Sequence, residues 1–239
     1  MIEDVRKLRR HHPRMGGRKL YHLLNEQIHH LAPGLGRDKF FELLRANDLL
    51  VKRRRKYAVT TQSFKRFHLY LDHYNSRQWK QPHQAWVSDI TYIRVAENFQ
   101  YLFLITDAYS RKIVGWKLAD TLETKWALEA LQMALKQCKN KAGLIHHSDR
   151  GFQYCHIEYT TLLLNNGIIP SMGQVGYCYD NAMAERVNGI LKEEYLLDST
   201  FKEKKQAITA TVEAIKRYNE ERPHWSLSLQ IPSDVHKAA

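Results

Sequence analysis

A chain of 239 residues with 44% hydrophobic and 11% aromatic side chains has enough apolar surface to bury a core, which excludes a wholly disordered polymer and leaves room for one substantial domain and a small second one. Its formal net charge of +12 is unevenly placed: residues 1–80 carry 19 Lys and Arg against 7 Asp and Glu, whereas residues 81–239 carry 18 of each. A basic front joined to a balanced remainder implies a polyanion held at one end and different work at the other.

Residues 1–50 read as short helices. Ile2 to Arg10 alternates apolar and basic positions, Gly17 to Gln27 places Leu20, Leu23 and Leu24 at helical spacing, Leu31-Ala-Pro-Gly-Leu-Gly36 breaks the pattern, and Arg37 to Asn47 sets Phe40, Phe41, Leu43 and Leu44 on one side. Helix, glycine-containing turn and helix is the shape of a helix-turn-helix unit. Residues 51–82 read as a basic linker. The run Lys52, Arg53, Arg54, Arg55 and Lys56 would track DNA phosphates with a salt-sensitive, sequence-independent attraction.

From Trp86 the pattern changes to strands at Trp86–Ile93, Tyr101–Thr106 and Lys112–Leu118, the last two joined by a turn at Ala108–Arg111. A helix over Thr124–Gln137, a short strand over Leu144–His147, a helix over His156–Asn165 and a short strand over Ile168–Ser171 follow. This order implies an α/β domain over residues 83–200, a mixed sheet with helices on both faces. Asn181–Leu196 and Lys202–Asn219 read as helices, the second opening a C-terminal segment, 201–239, that closes with an extended stretch from Arg222 to Pro232.

Three carboxylates stand out. Asp89 sits in the middle of an apolar strand, where desolvation is costly unless something compensates it. Asp149 follows a buried strand directly, at the strand end where open α/β sheets build their sites. Glu185 shares a polar helical stripe with Asn181, Asn188 and Lys192, about 120° from an apolar stripe of Ala184, Val187, Ile190 and Leu191, so it is expected to face a cleft.

The segments Trp86-Val-Ser-Asp-Ile-Thr-Tyr92, His147-Ser-Asp-Arg-Gly-Phe-Gln-Tyr154 and Tyr179-Asp-Asn-Ala-Met-Ala-Glu-Arg-Val-Asn188, with 35 residues between Asp149 and Glu185, resemble the three signatures of the DDE transposases of the retroviral-integrase superfamily. More narrowly, from Pro13-Arg-Met-Gly-Gly-Arg18 to Tyr218-Asn-Glu-Glu-Arg-Pro-His224, the chain is similar to the second-reading-frame (OrfB-type) product of the IS-three group of bacterial insertion sequences. The resemblance implies a ribonuclease-H-like fold, Asp89, Asp149 and Glu185 as catalytic metal ligands, and DNA cleavage coupled to strand transfer. Two magnesium ions, with manganese as the substitute, suit such hard carboxylate oxygens. It further implies double-stranded DNA at element ends and target as partner, homo-oligomers on DNA, an upstream-frame helix-turn-helix partner or frameshift fusion, and DNA contacts from Asn188 and Lys192. Residence would be cytoplasmic, at the bacterial nucleoid.

Other residues are expected to support rather than perform chemistry. Asp107, at a strand end, reads as structural, held by Arg111 or turn amides. Asp180 reads as a helix N-cap. His146 and His147 read as packing or hydrogen-bonding neighbours of Asp149. The tandem histidines His11-His12 and His29-His30 lack any cysteine before Cys138, so no integrase-type zinc module is expected. Cys138, Cys155 and Cys178 form no CxxC pair and suggest no disulfide framework. No apolar run approaches the roughly 18 residues of a membrane span. A hydrolysis-only nuclease of the same fold and a catalytically silent DNA-binding regulator are the alternative readings.

Overall fold

The computed structural model describes residues 1–52, 70–75, 77–173 and 181–238. Four helices form the front module: α1 (Ile2–His11), α2 (Gly17–Leu23), α3 (Asn25–Leu31) and α4 (Arg37–Ala46). They enclose a core of their own made by Val5, Met15, Leu20, Leu24, Ile28, Phe40 and Leu44. The helix expected to stop at Gln27 runs on to Leu31, interrupted only at Leu24. Leu20, Leu24 and Ile28 recur every four residues, and the amides of Leu24 and Ile28 still bond to the carbonyls of Leu20 and Leu24, so burial of that stripe carries the helix past the expected end.

The second unit is a five-stranded sheet in the order β3-β2-β1-β4-β5, made of β1 (Ala85–Val95), β2 (Asn98–Asp107), β3 (Ile113–Ala119), β4 (Ile145–Ser148) and β5 (Ile169–Met172). The first three strands are antiparallel neighbours; β4 runs parallel to both β1 and β5. Side chains alternate across the pleat. Trp86, Phe103, Ile105 and Val114 therefore pack on one face with Leu131 of α5 (Thr124–Gln137) and Tyr159 and Leu163 of α7 (Ile157–Asn165). Ile93, Leu102, Leu104 and Ile113 pack on the other with Val187, Ile190 and Leu191 of α8 (Ala182–Glu194) and Ile215 and Tyr218 of α9 (Lys204–Glu220). The expected mixed sheet with helices on both faces is what the chain forms.

Gly115 makes the α5 packing possible. A Cβ there would meet the carbonyl oxygen of Ala130 at 2.2 Å, so only hydrogen lets the helix backbone settle onto β3.

Three elements go beyond the sequence expectation. A one-turn helix α6 (Phe152–Cys155) follows Asp149, and the stretch expected to be extended from Arg222 to Pro232 holds a 3-10 turn at Trp225–Leu227 before α10 (Pro232–Lys237). Pro232 opens α10, where its missing N–H costs nothing. Arg53 to Lys56, Cys178 and Asp180 lie outside the described residues, and with them most of the expected phosphate-tracking run and the expected N-cap.

Candidate active site

The site grows from strand register. In the parallel pairing of β1 and β4, Ser88 lies opposite Ser148. The next residue on each chain is an aspartate, Asp89 and Asp149, so the register sets these two carboxylates side by side at the C-terminal end of β4, on strands about 4.8 Å apart. Asp89 falls on the face covered by α8.

Burial raises the pKa of Asp89 to about 7, with the charge of Asp149 adding to the effect and that of Glu185 contributing less. Hydrogen bonds from the Ile90 amide (2.9 Å) and from Asn188 Nδ2 (2.7 Å) pull the other way. Asp149 opens to solvent, yet the surrounding protein desolvates its carboxyl and raises its pKa, against a hydrogen bond from the Gly151 amide at 3.0 Å. Among the described residues, no Lys, Arg or His pairs with either aspartate within ion-pair distance. Two carboxylates that compete for a proton and lack a cationic side chain suit hard divalent cations.

Glu185 stands on α8, exposed, with Ala184, Val187, Ile190 and Leu191 buried beside it. The apolar stripe thus packs as expected. Among the described residues, however, no three His, Cys, Asp or Glu side chains already converge on one metal-holding point. The structure brings Asp89 and Asp149 together, with Glu185 near enough to raise the proton affinity of Asp89.

Asn188 departs from the stripe assigned to it. It is buried, not open to the cleft, and spends its amide on Asp89, while its Oδ1 has no partner among the described residues. Asn181 is also buried and donates to the carbonyl of Ser88 at 3.0 Å. The two asparagines tie the N-terminus and the middle of α8 to β1 at Ser88 and Asp89. Lys192 is half-buried; burial lowers its pKa, opposed by Asp198 and Asp89, so its ammonium lies within the field of the site. Glu194, a neighbour that could have neutralised it, is occupied by Arg222 and Lys19.

The strands are braced from below. His146 Nε2 lies 2.8 Å from Ser88 Oγ and 2.9 Å from the Tyr159 hydroxyl, and burial pushes its pKa down to about 3; it is a neutral crosslink between β1, β4 and α7. His147 Nδ1 meets Ser171 Oγ at 2.9 Å and its ring stacks on Tyr74. Both histidines therefore fill the expected packing and hydrogen-bonding roles. Asp107 is fully buried and accepts from the amides of His83, Tyr109 and Ser110 and from the Ser110 hydroxyl. Turn amides hold it; the Arg111 side chain instead bonds to the Ala108 carbonyl, the Met183 sulfur and Ser226.

Two Integrase core domain models match this chain, over residues 80–178 and 166–232. The transposase of insertion sequence element IS629 from Shigella sonnei is 36% identical over 159 residues, 66% of this chain and 53% of that protein. An uncharacterized 31 kDa protein of insertion element IS600 from Shigella sonnei is 36% identical over 192 residues, 80% of this chain and 71% of that protein. The chain thus spans about half the length of several transposases that it matches. Among solved structures, the HTLV-2 integrase catalytic core domain in complex with magnesium superposes with a TM-score of 0.52 at 19% identity, over 65% of this chain and 97% of that one. The sheet and its helices are therefore the ribonuclease-H-like fold of integrase catalytic cores.

Proposed function

Because the chain belongs to the integrase-core transposases of IS3-type insertion sequences, we propose that it cuts DNA at the ends of its element and joins those ends to target DNA, with Asp89, Asp149 and Glu185 as the metal-binding carboxylates. The observation that carries this is the β1–β4 register, which sets Asp89 beside Asp149 with no cationic side chain paired to either among the described residues.

Asp89 and Asp149 would hold the divalent ions, magnesium or manganese, and Glu185 would complete the set from α8. When bound, two such ions lower the pKa of an attacking water or present a 3′-hydroxyl, and neutralise the leaving oxygen of an in-line displacement. The chain's own residues supply position. Asn188 fixes Oδ2 of Asp89 and the Ile90 amide fixes Oδ1, so the carboxylate is oriented while each oxygen keeps a lone pair for ligation; Lys192 holds the phosphate or base of the strand end; the helix-turn-helix front and the run Lys52–Lys56 grip the flanking duplex. Function at the bacterial nucleoid, self-association on DNA and an upstream-frame partner or fusion belong to the same reading.

The test is substitution. Asp89→Asn, Asp149→Asn and Glu185→Gln each remove a ligand charge with little change of volume. Each is expected to lower cleavage of a duplex ending in the element's terminal repeat by about 10³-fold or more, the several kcal/mol that metal-assisted catalysis supplies, while duplex affinity stays within about threefold. Substantial cleavage by any one of them overturns its assignment.

A further inference from the structure

Two sequence motifs at opposite ends of the chain, Pro13–Arg18 and Tyr218–His224, take no part in the carboxylate chemistry, yet the fold brings them to one place. Between them lies Glu194, the last residue of α8. Lys19 of α2 approaches its carboxylate at 3.1 and 3.4 Å, and Arg222 grips both oxygens from the other side at 2.8 Å each. Lys19 and Arg222 are almost wholly buried, 5% and 2% exposed. The Glu194 carbonyl accepts from the Arg14 amide at 3.1 Å. Around this triad, His12 lies 3.2 Å from the Tyr195 hydroxyl and 3.1 Å from Glu221, Arg217 donates to the His11 carbonyl at 3.0 Å, and Arg18 sits over the Trp225 ring.

From this geometry we infer that Lys19, Glu194 and Arg222 form a clasp that docks the front module on the C-terminal end of the helix carrying Glu185, so that DNA gripped by the module enters the site in one fixed orientation. The inference rests on the transposase reading above and adds to it the element that couples recognition to cleavage. Glu194 lies nine residues after Glu185 on one continuous helix, about 13.5 Å along its axis. A rigid helix thus joins the docking point to the carboxylate cluster. A buried ion triad suits this task better than an apolar contact, because any other orientation of the module would leave the Lys19 ammonium buried without its carboxylate. Lys19, Glu194 and Arg222 are positioning residues; none of them is among the carboxylates that would hold metal.

Lys19→Met tests the clasp, since it removes the module's half and leaves the bidentate Arg222–Glu194 pair intact. With the full chain and a duplex ending in the element's terminal repeat, the expected result is duplex affinity within about twofold of wild type, kcat for end cleavage lower by about tenfold or more, and a larger radius of gyration in small-angle X-ray scattering. Lys19→Arg is expected to restore kcat and the compact profile. Wild-type kcat, or an unchanged scattering profile, in Lys19→Met overturns the clasp. A loss of affinity at unchanged kcat also overturns it, by making Lys19 a DNA contact. Should the wild-type chain neither bind nor cut the duplex, the transposase reading fails, and the scattering comparison still decides the docking.

Discussion

Asp89 is the residue on which the proposed chemistry turns. Burial and Asp149 raise its pKa to about 7, so below that pH it holds a proton that a divalent cation would have to displace. The sign follows directly: a carboxyl whose folded pKa exceeds its unfolded value, near 4, stabilises the metal-free fold in acid and loses that contribution as pH rises through about 7. Titrations of magnesium or manganese binding are therefore expected to weaken steeply as pH falls below about 7, with proton release on binding; pH-independent affinity between about 5 and 8 would contradict it. Asn188→Ala should weaken cation binding by about 10–100-fold, because groups that orient a metal ligand carry that weight; calorimetry with wild-type affinity would show that the Asn188 bond to Asp89 is incidental. The places of both aspartates in the fold were readable from the chain, one inside an apolar strand and the other just past a strand end. The role of Asn188 was not. On a helical wheel it sits with the polar residues, and its partner Asp89 is 99 positions away in sequence, so only tertiary packing shows that its amide turns inward.

Elements were legible where hydrophobic periodicity ran long and faint where they were short. The span of α5, Thr124–Gln137, matches its expected bounds, and the five strands fall within a few residues of theirs. The four-residue α6 and six-residue α10 are too short to impose a period on the sequence. Gly115 is where an element-scale prediction is sharpest. Gly115→Val places a branched side chain where even a Cβ meets the Ala130 carbonyl at 2.2 Å, so α5 must lift from β3. A loss of about 1–3 kcal/mol, the usual cost of overpacking, is expected in chemical denaturation, and an unchanged midpoint would mean that the helix has slack the geometry denies it.

At the scale of the whole molecule, charge organises the chain twice. The basic front was legible from composition alone, while the clasp that seats it was not, since Lys19, Glu194 and Arg222 come from three separate segments. Burial opposes ionisation of Glu194, but the hydrogen bonds and charge of Arg222, then Lys19, hold its pKa down at about 2. A depressed carboxyl contributes stability above its unfolded pKa, about 4.3, and loses it as pH falls through its folded value. Glu194→Gln is accordingly expected to cost roughly 3–5 kcal/mol at neutral pH, with the difference from wild type shrinking between about pH 4 and 2; a constant difference across that window would assign the loss to packing. Neutralising Lys52 to Lys56 should shallow the slope of log affinity against log salt by several units, at roughly 0.9 for each phosphate left without its cation, and an identical slope would show a merely solvated run.

Asp89, Asp149 and Glu185 are proposed to serve strand transfer. The decisive experiment incubates the wild-type chain with magnesium, an end-labelled duplex carrying the element's terminal repeat and a supercoiled target plasmid, then resolves the labelled DNA by size. The expected product is label covalently joined to plasmid, dependent on magnesium and absent from Asp89→Asn. Labelled fragments without joined product would make the protein a nuclease of this fold, and bound but uncut duplex would make it a silent regulator; either result rules out strand transfer.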